Sequence, residues 1–163
     1  MAKSKEEKTN VMRVLEQKKI AYSAHSYPHE EGVAVDGVTV ARSMGFDPAI
    51  VFKTLVARGA SGQHYVFDVP VAENLDLKKA AKAVGEKSIE MIHQKELLPL
   101  TGYVHGGCSP VGMKKLFPTV FHSSAENLAA MIVSAGKIGY QVELAPHDLA
   151  ALVRAKFADI IVE

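Results

Sequence analysis

Apolar positions at helical spacing open the chain: Val11, Met12, Leu15 and Ile20, behind Thr9 or Asn10, predict one amphipathic helix, with residues 1–8 ahead of it as a frayed, disordered tail. The stretch 21–27 alternates as a short strand does, and Pro28 ends it. A short helix follows over 38–44, stopped by Gly45, and Asp47 with Pro48 sets up one further helical turn. The run V-F-K-T-L-V-A at 51–57 is strand-like at every position but Lys53. After a turn at Ala60, Ser61 and Gly62, Tyr65, Phe67 and Val69 alternate with Val66 and Asp68 in the returning strand, so Lys53 sits on a hairpin. Asp76 caps a helix that ends at Gly85. Residues 88–92 form a strand, and a helical turn over 93–98 is stopped by Pro99. Further strands are expected at 119–122, 130–133 and 140–144. Between the first two of these, Ser123 and Glu126 stand as a capping box. A last helix over 149–155 and a pairing tail at 157–162 complete the chain. Short strands, two hairpins and helices of uneven length describe an α+β domain with a mixed sheet.

Bulk composition narrows this only modestly. A chain of 163 residues has room for one domain, here 1–163, with a proper core. Nineteen basic against eighteen acidic residues, a net charge of +1, neither demands nor excludes nucleic acid, because a basic face can sit on a neutral whole. The single cysteine, Cys108, allows no internal disulfide and suits a reducing compartment. With a charged start lacking a signal-peptide core, and no apolar run long enough for a bilayer, the chain reads as cytoplasmic. The lysines at 78, 79, 82 and 87 read first as a solvated face, with phosphate binding as the alternative.

Candidate chemistry gathers at T-G-Y-V-H-G-G-C-S-P-V-G, residues 101–112, whose four glycines and Pro110 exclude a regular element. Gly106 and Gly107 can take positive φ and aim successive N–H groups at one oxygen; the alternative is a tight connector. A second glycine turn, S-A-G-K-I-G, spans 134–139. Lys53, on a strand face shared with Val51 and Leu55, is either aimed into a pocket or a solvent-facing lysine on an edge strand. No protein nucleophile is evident: Ser109 precedes proline outside any elbow, and Cys108 has only His105 near it as a base. His25 and His29 beside Glu30 and Glu31 suggest a metal only if the stretch were helical, which Pro28 opposes, so no metal is assigned. A site that holds an oxygen and admits an attacker from elsewhere points to hydrolysis or transfer at an activated ester.

The motifs V-F-K-T-L at 51–55, the 101–112 loop, V-S-A-G-K-I-G at 133–139 and A-K-F-A-D-I at 155–160 together resemble the YbaK/EbsC family, freestanding relatives of the editing domain of bacterial prolyl-tRNA synthetases. The resemblance covers nearly the whole chain. It implies a curved, mixed sheet surrounded by short helices, no cofactor, and hydrolysis in trans of mischarged tRNA(Pro), with cysteinyl-tRNA(Pro) as the substrate. Deacylation of another small amino acid, alanine or serine, or a non-catalytic module holding tRNA or a synthetase, are the alternative readings. Partners implied are the tRNA acceptor end and prolyl-tRNA synthetase. Carried over, Lys53 is the essential lysine near the 3′-terminal nucleotide, and Gly106 and Gly107 open the loop that holds the aminoacyl group. Ser134 is a polar pocket residue and Tyr27 stands at the pocket mouth. Thr54, Cys108, Ser109, Pro110, Gly112, Gly136 and Gln141 complete the expected binding set. The substrate's own thiol is expected to attack the ester and leave as a cyclic thiolactone. Gln141 stands where many members are acidic, and Ala135 where many have glycine.

Overall fold

The computed structural model describes residues 8–30 and 32–163. The tail expected over residues 1–8 therefore lies outside the described residues except for Lys8, which pairs with Glu16 at 2.9 Å. Helix α1 (Asn10–Gln17) is N-capped by Thr9, whose hydroxyl accepts from Met12 N–H, and it buries Val11, Met12 and Leu15. Strand β1 (Ser23–Ser26) follows, then α2 (Gly37–Ser43), capped by Asp36. A 3₁₀ turn (Pro48–Ile50), capped by Asp47, delivers the chain into β2 (Phe52–Gly59) and its hairpin partner β3 (His64–Pro70).

Helix α3 (Leu77–Val84) runs from its Asp76 cap to left-handed Gly85, and β4 (Ile89–Met91) follows. Helix α4 (Gln94–Thr101) differs from expectation, because Pro99 lies inside it. A proline costs the helix one N–H bond. Beyond Pro99, the Thr101 hydroxyl donates to Leu97 O at 2.7 Å and Gly102 N–H to Leu98 O, so the last turn closes before left-handed Gly102 ends it.

Strands β5 (Thr119–His122), β6 (Met131–Ser134), β7 (Tyr140–Leu144) and β8 (Ala155–Ala158), with α5 (Pro146–Val153), complete the fold. The capping box expected at Ser123 and Glu126 does not form. His122 is still paired with Ala158, so the 3₁₀ turn (Ser123–Asn127) starts straight off the strand and Ser123 is already helical. A carboxylate reaching back to a helix start is found instead at α4, where Glu96 accepts from His93 N–H at 3.1 Å.

The fold is the mixed α+β domain expected, with its strands divided between two sheets. A five-stranded mixed sheet has the order β4-β2-β3-β5-β8, and a three-stranded antiparallel sheet the order β1-β7-β6. A single parallel bridge, Val51 to Ile132, joins them. Beyond it β2 commits its pairing to β3 and parts from β6. Between the sheets lies the main core, built on Val11, Leu15, Phe52, Val66, Phe121, Met131 and Val142. On the far face of the larger sheet, Phe67, Val69 and Ala57 pack against Ala80 and Ala81 of α3. The parting of β2 from β6 leaves the opening that holds the candidate site.

Candidate active site

A cavity of about 550 Å³ occupies that opening. Its walls come from the start of β2 (Lys53, Thr54), the glycine loop (Gly106, Cys108), the ends of β6 and β7 (Ser134, Gln141) and Tyr27 beyond β1. Of the expected site residues, these seven are brought together. Gly107, Ser109, Pro110, Gly112 and Gly136 do not line the cavity.

The strand places Lys53 first. It is opposite Val69 in the hairpin register, and it is half-buried. Burial lowers the ammonium pKa, and the carboxylates of Asp36 and Glu73 restore part of it. Lys53 has no salt bridge among the described residues. A partly desolvated ammonium without a counter-ion on a cavity wall is built to accept an anion. Of the lysines on α3, Lys79 is held by Asp159 at 3.1 Å and by Ile161 O at 2.9 Å, whereas Lys78 and Lys82 are exposed.

Loop geometry distributes the glycine roles unevenly. Gly106 has φ +89°, and a Cβ there would stand 2.6 Å from the Ala34 Cβ. Gly107, by contrast, is not in the positive-φ region, and its N–H donates to Val104 O at 3.0 Å. The paired donors expected from Gly106 and Gly107 are therefore not available together. Gly107 instead allows close approach of the two glycine loops, since a Cβ on it would lie 2.9 Å from Ile138 N. The N–H groups of Gly106 and Cys108 have no partner among the described residues, and both residues line the cavity. Gly106→Ala combines backbone strain with a clash and is expected to cost several kcal/mol of stability, read as a lowered Tm together with weakened ligand binding.

The other polar groups divide by what already occupies them. Ser134 Oγ accepts from Gly136 N–H at 3.1 Å, which leaves its proton to donate to a ligand. Ser109 is fully buried and its hydroxyl accepts from Val111 N–H, so it shapes the loop. Cys108 is buried, and its thiol is pushed up to about 12 by burial and by the charge of Asp68. It stays protonated and unreactive. Gln141 is paired with Ser134 across the sheet, and its Oε1 is buried without a partner. Tyr27 packs edge-on against His29, which in turn packs against Tyr140 at the rim.

His25 and His29 do not face one another's ligands: His25 Nε2 lies 2.8 Å from Glu143, and His29 Nδ1 lies 2.9 Å from Tyr27 O. Glu31 lies outside the described residues. No group of three His, Cys, Asp or Glu that could hold a metal occurs among the described residues.

Asp68, behind the cavity wall at Thr54, is a residue that sequence reasoning does not single out. It pairs with Thr54 across the hairpin, is fully buried, and accepts the Thr54 hydroxyl proton on Oδ1 at 2.5 Å while Oδ2 has no partner. Burial pushes its carboxyl up to about 7. The available signal is a charge at an alternating position of a strand whose two faces are both buried, Val66 in the main core and Phe67 and Val69 against α3.

Residues 32–152 match the model of the aminoacyl-tRNA editing domain. The chain is 46% identical over 161 residues, 98% of each chain, to EbsC of Enterococcus faecalis (strain ATCC 700802 / V583), named as a Cys-tRNA(Pro)/Cys-tRNA(Cys) deacylase. A crystal structure described as a trans-editing enzyme for prolyl tRNA synthetase superposes with a TM-score of 0.79 at 25% identity, covering 94% of this chain and 95% of that one. The hypothetical protein APE2540 shares the fold, with a TM-score of 0.82 at 19% identity over 93% of this chain and 99% of its own. By the extent of the family match and the whole-chain likeness to EbsC, this chain belongs to the aminoacyl-tRNA editing domain family.

Proposed function

We propose that this protein is a trans-acting aminoacyl-tRNA deacylase that clears mischarged tRNA(Pro), with Cys-tRNA(Pro) as its substrate. The observation that carries the reading is one cavity shared by a half-buried, unpaired lysine and unpaired loop amides, with the Cys108 thiol on its wall held protonated. The name carried by EbsC and the description of the trans-editing structure support the same substrate class. In this reading Lys53 holds the phosphate of the 3′-terminal nucleotide. The N–H groups of Gly106 and Cys108 stabilise the oxyanion as the ester carbonyl is attacked. Ser134 and Gln141 contact the aminoacyl group and Tyr27 closes the mouth. Gly107, Ser109, Pro110, Gly112 and Gly136 hold the two loops in shape.

The attack comes from the substrate. Its thiol sulfur bonds to the ester carbonyl carbon, the carbon–oxygen bond to the terminal ribose breaks, and the ribose oxygen takes the thiol proton. Free tRNA and a cyclic thiolactone leave. Prolyl-tRNA synthetase is the partner that presents the tRNA, since a domain of net charge +1 has little electrostatic hold on nucleic acid by itself. A tRNA substrate supports a cytoplasmic site of action, and no helix among the described residues is long and apolar enough to cross a membrane.

A deacylation panel tests this reading, using Cys-, Ala-, Ser- and Pro-tRNA(Pro) with Cys-tRNA(Cys). Cys-tRNA(Pro) is expected to be cleaved fastest, and Cys108→Ser to keep the rate within about threefold, because a protonated buried thiol contributes packing alone. Preferred cleavage of Ala- or Ser-tRNA(Pro), or an inactive but folded Cys108→Ser protein, contradicts it.

A further inference from the structure

The cavity wall at Thr54 has a feature that ester cleavage alone does not require. Behind the Thr54 hydroxyl stands Asp68, fully buried and in no ion pair among the described residues. From β2 it meets Thr54, from β5 Phe121 lies opposite it, and from the glycine loop the neutral Cys108 thiol lies close enough for the two groups to interact. No cation among the described residues compensates this carboxyl group. One carboxylate oxygen holds the Thr54 proton, so the lone pairs of Thr54 Oγ1 remain available to a donor in the cavity.

We infer that Thr54 and Asp68 form the subsite for the α-ammonium of the aminoacyl group. Thr54 accepts an ammonium N–H directly, and Asp68 is a positioning residue that orients that hydroxyl and supplies the missing opposite charge from behind. The inference rests on the deacylase reading above and assigns within it the part that recognises the amino acid's charged end. Its physical basis is mutual completion. A buried carboxylate with no cation is costly, and a bound ammonium offsets that cost only while the ligand is present. An acceptor backed by a carboxylate also fits a cation better than it fits a neutral amide. Lys53 lies on the opposite face of the same strand, with Leu55 and Val69, so the anion-binding and cation-binding elements are separated by strand alternation.

The test compares Cys-tRNA(Pro) with N-acetyl-Cys-tRNA(Pro), which keeps the ester and thiol but removes the cation. The wild-type protein is expected to favour the free amine by roughly ten- to a hundredfold in kcat/KM, the range of a charge-assisted hydrogen bond. Asp68→Asn and Thr54→Val are expected to bring the two substrates within about threefold of each other, by slowing the free-amine substrate alone. Thr54→Ser, which keeps the hydroxyl, is expected to retain the preference. Equal loss on both substrates in Asp68→Asn and Thr54→Val marks a purely structural pair and overturns the inference, as does a wild-type protein that cleaves both equally. A wild-type protein that cleaves neither overturns the deacylase reading itself.

Discussion

Lys53→Ala is expected to lower kcat/KM for mischarged tRNA by roughly a hundredfold or more while leaving the protein folded. Burial is the reason. The ammonium is half-desolvated, carries no ion pair among the described residues, and feels Asp36 and Glu73 only at a distance. Asp36 is moreover committed to capping α2, where its Oδ2 accepts from Thr39 N–H at 3.1 Å. Removing such a cation takes away a charge-assisted phosphate contact, worth about 1.5–3 kcal/mol when buried, and the loss of register at the ester adds to it. Because the native fold holds this ammonium with a lowered pKa, its removal also relieves a desolvation cost, so Tm is expected to hold or rise slightly. The salt dependence carries an independent signature. Loss of one phosphate contact makes the slope of log kcat/KM against log salt shallower by about 0.7 for a single-stranded end. Lys53→Arg is not expected to restore the rate, since a planar guanidinium does not fit a site shaped around a point charge. Full activity in Lys53→Ala refutes the placement of the acceptor end.

The second large effect concerns stability and runs against intuition: Asp68→Asn is expected to be more stable than the wild type near pH 8 and equal to it near pH 4. Burial raises the native carboxyl from 3.8 to about 7. A group whose native pKa lies above its unfolded value contributes stability that is complete below the unfolded value and is lost as pH rises through the native one. Between those limits the wild-type fold loses up to about 4 kcal/mol through this group, since every pH unit separating the native and unfolded values is worth about 1.4 kcal/mol. Asparagine has no charge to bury and can still accept from the Thr54 hydroxyl. The gap opens from pH 4 to pH 7 and amounts to several degrees of Tm for a chain of this size. Urea unfolding of both proteins at each pH checks it; a gap that is constant with pH contradicts the ionisation of a buried Asp68. Stability given up at a polar group just behind a cavity wall is what a functional site costs a fold.

Where signals are local, the fold is readable from the residues alone. Asp76 and Gly85 bracket α3, and Asp47 with Pro48 starts a 3₁₀ turn, because caps act within one turn of backbone. The convergence of Lys53, Gly106 and Ser134 is legible through motif resemblance, not through spacing, which supplies a cradle and no substrate. What escapes is set by tertiary context. Pro99 reads as a stop, yet α4 runs on past it because Thr101 and Gly102 close the last turn. Gly107 reads as a donor of the cradle, and its N–H is spent on Val104. Asp68 can pass for a solvent-facing residue until the main core packs on the face it shares with Val66. The division into two sheets at the Val51 bridge follows from which partner β2 follows, a long-range choice that no window of sequence contains.

In the proposed reaction the attacking group belongs to the substrate and not to the protein. Single-turnover cleavage of Cys-tRNA(Pro) beside S-methylcysteinyl-tRNA(Pro) addresses it directly. The first is expected to release a cyclic thiolactone and the second to be cleaved roughly a hundredfold or more slowly, because its sulfur lacks the proton and charge to attack. Equal rates on the two esters, or an aminoacyl group trapped on Ser134 or Cys108, would contradict it.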